Sequence, residues 1–139
     1  MSSDLAPQKP TITQFGRKDA RLATSLDLSS RENKLKMMEC LNDCTARLTE
    51  EVNEVIVVTN YFIHDVQKID DKTGEVKNLE RLVLIDADGN THETTGATLI
   101  ESLKIVCFAE GSPPWPNGVK LKVRSKKKNT KDIYFFEIQ

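Results

Sequence analysis

Val119-Lys120-Leu121-Lys122-Val123-Arg124-Ser125-Lys126 alternates without a break. Val119, Leu121, Val123 and Ser125 fall on one side of an extended chain, and Lys120, Lys122, Arg124 and Lys126 fall on the other. A two-residue period marks a strand with one buried and one wet face, so this stretch is a strand whose solvent face is basic. Lys127-Lys128-Asn129-Thr130-Lys131 supplies a polar turn, and Ile133-Tyr134-Phe135-Phe136-Glu137-Ile138 returns as the partner strand.

Working back from this hairpin, the run Pro113-Pro114-Trp115-Pro116-Asn117-Gly118 is a loop that no helix can cross. Before it, Leu99, Ile100, Leu103, Val106 and Cys107 share one face of a helix, with Glu101 and Lys104 facing out. Gly96 breaks the chain ahead of that helix and Gly111 closes it. Thr91 to Thr95 reads as a strand joined to Leu79–Ile85 through Asp86-Ala87-Asp88-Gly89-Asn90, whose Asp-Gly pair is a hairpin signal. Asp70-Asp71-Lys72-Thr73-Gly74 is a turn, preceded by a long strand from Val55 through Ile63 toward Ile69. Both alternating sets of that strand are apolar: Val55, Val57, Thr59, Tyr61, Ile63 and Ile56, Val58, Asn60, Phe62. Both of its faces are therefore expected to be covered, one by a barrel core and the other by an upstream helix or a second subunit, which makes a homodimer an expectation.

That upstream helix is announced by Ser29-Ser30-Arg31-Glu32, which has the form of a capping box. Leu35, Met38, Leu41, Cys44/Thr45, Leu48 and Val52 then recur every three or four residues, predicting an amphipathic helix over about 31–50. Residues 1–28 show no sustained period and read as a flexible arm, with Ile12 and Phe15 able to dock on a partner. The division is an arm at 1–28, a helical segment at 29–52 and a β-rich domain at 53–139. The fold class is mainly β with helices (α+β). From residue 55 the order strand-strand-strand-helix-strand-strand (β-β-β-α-β-β) is that of a five-stranded OB-like barrel, here preceded by an N-terminal helix.

The 139 residues, 38% apolar and 29% charged, describe one soluble globular domain with a tail rather than a two-domain enzyme. The net charge of −1 hides an asymmetry. From Val119 to Gln139 seven bases face two acids, a net of +5, which leaves −6 over the preceding 118 residues. Three cysteines, with no secretory leader, point to a reducing compartment, the cytoplasm of a cell or of an infected host. No apolar run reaches membrane-spanning length, so no membrane partner is expected.

Over residues 54–139 the chain resembles small single-stranded DNA-binding proteins of bacteriophages and mobile elements, on its element order and its Val119–Ile138 hairpin. The resemblance implies a non-enzymatic, largely sequence-independent binder of single-stranded DNA, or of RNA, acting in replication or recombination. Such a binder needs spaced cations and flat rings in one groove. Lys120, Lys122, Arg124 and Lys126 would stand about 7 Å apart along one strand, and Lys127, Lys128 and Lys131 would extend the line around the turn. Tyr61, Phe62, Trp115, Tyr134 and Phe136 are the candidate stacking residues. A lysine-alternating strand is also how proteins protect a sheet edge from aggregation.

Enzyme readings find little support. His64 and His92 lack zinc spacing, and Cys40 and Cys44 lack a second pair. Asp86–Asn90 departs from a calcium loop, no phosphate-loop or nucleophile-elbow motif is present, and no catalytic residue, metal site or cofactor is expected. The rival reading is a viral adaptor or inhibitor that binds a host polymerase or nuclease through the methionine-bearing helix and the arm, favoured by the acidic first 118 residues.

Overall fold

The computed structural model describes residues 22–42 and 45–139. The elements are β1 (Leu22–Thr24), α1 (Arg31–Asn42), β2 (Ala46–Arg47), a 3-10 turn (Leu48–Glu50), β3 (Val55–Ile69), β4 (Val76–Asp86), β5 (Thr91–Thr94), α2 (Ala97–Glu110), β6 (Val119–Lys128) and β7 (Lys131–Ile138). The chain is mainly β with two helices. Its strands form one seven-stranded sheet in the order β2-β5-β4-β3-β6-β7, with β1 added to β3. The sheet curls into a half-barrel, where the sequence suggested a five-stranded OB-like barrel.

β3 is the spine. Its fifteen residues carry β4 along one edge, from Val58 to Ile69. Its other edge is shared: β6 pairs with Val55–Val58, and β1 pairs with Phe62–His64. At the junction, Trp115 N donates to Thr59 O (2.8 Å), and Ser25 Oγ accepts from Tyr61 N (3.0 Å).

The two apolar sets of β3 are explained by a bulge. Val58 pairs with Asp86 but Asn60 pairs with Ile85, so Thr59 is an extra residue and the facing of the chain flips there. Before the bulge Ile56 and Val58 point into the concave face. After it Tyr61 and Ile63 do, beside Leu82 and Leu84. Phe62 then falls on the convex face, where it is fully buried with Cys40, Val83 and Ile85 beneath α1. Each set is thus the inward set for one half of the strand. The covering expected of a helix or a second subunit is supplied here by α1, through Met37, Cys40 and Leu41.

The concave face is filled by α2. Leu99, Ile100, Leu103 and Val106 pack against Ile56, Val58, Leu82, Leu84, Leu121, Val123 and Phe136. Burying such aliphatic side chains contributes about 1.5–3 kcal/mol each. α2 also stands where a barrel would close: no β5–β7 pairing occurs among the described residues, and instead Ser102 Oγ accepts the Phe136 N–H at 2.8 Å.

The N-terminal third departs from its expected form. The helix stops at Asn42 rather than near residue 50. Leu48 keeps the helical period in sequence yet is fully buried in the main core from a 3-10 turn, because β2 pairs in parallel with β5 and holds the chain extended. Thr45 and Thr91 reinforce this, each hydroxyl accepting the other's backbone N–H at 3.0 and 3.3 Å. The cap is Ser30, not Ser29: its Oγ accepts from Asn33 N at 3.3 Å, while Ser29 bonds Asp27. Part of the expected arm is a strand, β1. Ile12, Phe15 and Cys44 lie outside the described residues.

Candidate nucleic-acid interface

The β6–β7 hairpin is built on a two-residue turn, Asn129-Thr130, with Asn129 at φ 61°. Asparagine tolerates this left-handed conformation better than most residues. The turn fixes the register: Lys122 opposite Glu137, Arg124 opposite Phe135, Lys126 opposite Ile133 and Lys128 opposite Lys131. Residues directly opposite share a face. The convex side of the hairpin therefore carries Lys120, Lys122, Arg124, Lys126 and Lys128 on β6, and Lys131, Ile133, Phe135 and Glu137 on β7. Val55 and Val57 of β3 flank it, opposite Lys122 and Lys120. The predicted alignment of the four cations of residues 120–126 is present. Lys127 points the other way, opposite Asp132, at the exposed tip.

Lys120, Lys126, Lys127, Lys128 and Lys131 are exposed, and Lys122 and Arg124 are half-buried. Arg124 Nη1 reaches Glu137 at 3.3 and 3.4 Å. The Gln139 amide, donating to Glu137 at 3.0 Å, holds that carboxyl below its usual range, helped by Arg124 and Lys122. Lys126 Nζ lies 5.9 Å from the centroid of the Phe135 ring.

None of the five aromatic residues expected to stack lies on the convex face of the β6–β7 hairpin. Phe62 is fully buried under α1. Trp115 is 7% exposed in the main core, its Nε1 donating to Gly111 O at 3.0 Å. Phe136 is in the same core, and Tyr61 and Tyr134 pack against it from the concave side. Burial raises the Tyr61 hydroxyl above its ordinary range, with the Cys107 thiol adding to it. Phe135, which was not among the expected stacking residues, is the ring on this face, and composition alone does not distinguish it from Phe136. The signal was available in the turn: a two-residue connection at 129–130 sets Phe135 across from Arg124.

Two polar clusters elsewhere are structural in their geometry. His92, buried, has Glu51 Oε1 2.7 Å from Nδ1 and Asp86 Oδ2 2.8 Å from Nε2, tying the 3-10 turn segment to the β4–β5 hairpin. Arg81 donates from Nη1 to Cys40 O (2.6 Å), an acceptor in the last turn of α1, and from Nε to Glu93 (3.1 Å), so it pins α1 to the sheet. Among the described residues no group of three or more His, Cys, Asp or Glu could hold a metal ion. No described helix is long and apolar enough to cross a membrane.

Comparisons with family models, with curated proteins and with solved structures each returned no match.

Proposed function

We propose that this chain is a non-enzymatic binder of single-stranded DNA, largely indifferent to base sequence, serving replication or recombination of a phage or mobile element. RNA is the other polymer with the chemistry such a site would take. The observation that carries the reading is the convex strip of Lys120, Lys122, Arg124, Lys126 and Lys128, five cations on one open face in a chain whose net charge is −1. An isolated basic strip on an acidic body concentrates attraction for a polyanion in one place. The strand order β5-β4-β3-β6-β7, with α2 between the third and fourth members in sequence, supports an OB-like architecture left open between its third and fifth strands. On that reading the lysine-rich tip is the loop between strands four and five, one of the loops such folds use for oligonucleotides.

Salt titration tests it. With about four phosphates neutralised, log K for an oligothymidylate falls against log[salt] with a slope of about −3. A slope near zero in a fluorescence titration refutes the mechanism.

A second reading, a protein-binding adaptor acting through α1, is favoured by Leu35 and Met38. They are 49% and 52% exposed one turn apart on that helix. Capture of a host polymerase or nuclease that survives nuclease treatment and is lost on Leu35→Ser with Met38→Ser would select it over the first.

A further inference from the structure

We propose that Phe135 is the surface on which an unpaired base stacks, and that the outer half of the β6–β7 hairpin, with Lys126, Lys128 and Lys131, is where the strand is held. This rests on the nucleic-acid reading above and names the part of that face which meets bases.

The first argument is position. Every other aromatic named as a stacking candidate is committed to a core or packed against one. Phe135 is half-buried on the convex face, directly across from Arg124, with Ile133 two residues along the strand. It is the ring that stands among the cations.

The second argument is the sign of the charge along the strip. At its inner end Glu137 faces Lys122 and bonds Arg124, so a carboxylate sits beside two of the cations and opposes a phosphate there. Toward the tip the balance changes. Lys126 faces Ile133, and Lys128 faces Lys131, so the outer half of this face carries three ammonium groups and no acid. Asp132 belongs to the opposite face, across from Lys127. Like charges placed directly opposite each other destabilise a strand pair. A phosphate lying between Lys128 and Lys131 relieves that repulsion, so the tip gains more from an anion than the inner end does.

The third argument is what covers the ring in the free protein. Lys126 Nζ lies over Phe135. A cation over an exposed ring is worth about a two- to fivefold preference, whereas a base stacked on an aromatic side chain is worth about 5- to 150-fold. Lys126 is exposed and flexible, so a base displaces it from the ring, and the ammonium group moves to the adjoining phosphate. Both partners improve. A duplex, whose base faces are already stacked on one another, gains only the phosphate contacts.

The experiment compares an oligothymidylate with an abasic oligodeoxynucleotide of the same length, each titrated into the full chain at two salt concentrations. The wild-type chain is expected to favour the oligothymidylate by about 5- to 150-fold. Phe135→Leu, which keeps an apolar side chain in the strand, is expected to remove most of that preference while leaving abasic binding and the salt slope unchanged. Phe135→Trp is expected to retain it, with indole emission quenched as oligothymidylate is added; Trp115 is buried in the core and stays silent. Full retention of the preference in Phe135→Leu, or equal wild-type affinity for the two polymers, overturns the role of Phe135 and leaves the electrostatic reading standing. Absence of oligothymidylate binding at low salt overturns the nucleic-acid reading itself.

Discussion

His92 stands between the carboxylates of Glu51 and Asp86, one on each ring nitrogen. Removing one member of a buried hydrogen-bonded cluster costs about 1–3 kcal/mol, because the groups left behind have lost water and gained nothing. His92→Ala is therefore expected to lower unfolding free energy by about that much in a urea melt. Asp86 gives the same cluster a pH signature. Burial pushes its carboxyl up, but the His92 hydrogen bond and the backbone N–H groups of Asn90 and Asp88 outweigh this and hold it below its ordinary value of 3.8. A depressed folded-state value means the unfolded chain takes up the proton first as pH falls. The stability Asp86 supplies is accordingly complete above about pH 4 and is lost as pH falls toward its folded value. Asp86→Asn should be less stable than wild type at neutral pH, with the gap in Tm narrowing on acidification below pH 4. A gap that stays constant would show that the carboxylate is not responsible.

Gly118 shows how the loop before β6 is locked to β3. Its φ of 77° lies in the left-handed region, and a Cβ there would collide with Val57 Cγ1. Both effects act together in Gly118→Ala, for which a loss of about 2 kcal/mol is expected, read as a fall in the denaturation midpoint with little change in slope. The elements themselves were largely legible from residue types. Clean alternation located β6, β-branched density located β3, and Gly96, Gly111 and the prolines bounded α2. Three features were not legible, each because a tertiary contact overrode a local pattern. The Thr59 bulge leaves no mark in composition, so the inward face of β3 stayed undecided. Leu48 continues a helical period beyond Ala46 and Arg47, whose pairing with β5 has already ended the helix. Phe135 and Phe136 are chemically identical neighbours, and only the register of the hairpin says which of them meets the cations.

Taken together, the chain is an acidic body with a basic projection, and the two can be altered independently. Lys126, Lys127 and Lys128 are exposed, and none belongs to the hydrophobic core. Replacing all three with Ala should weaken oligothymidylate binding and flatten its salt dependence, while Tm shifts by less than the few degrees that about 1 kcal/mol produces in a chain of this size. Unchanged binding would move the site to another surface. The proposed interface was thus half legible: the cations were apparent in sequence, and the ring that lies on the same face, Phe135, was not. The hydroxyl of Ser102, by occupying the Phe136 amide, has a consequence for how copies of this molecule meet. An unoccupied rim invites a neighbour's strand to continue the sheet from one molecule into the next. At that position the amide is already engaged by the protein's own helix, so the half-barrel can remain unclosed without offering β7 there as a template for polymer growth.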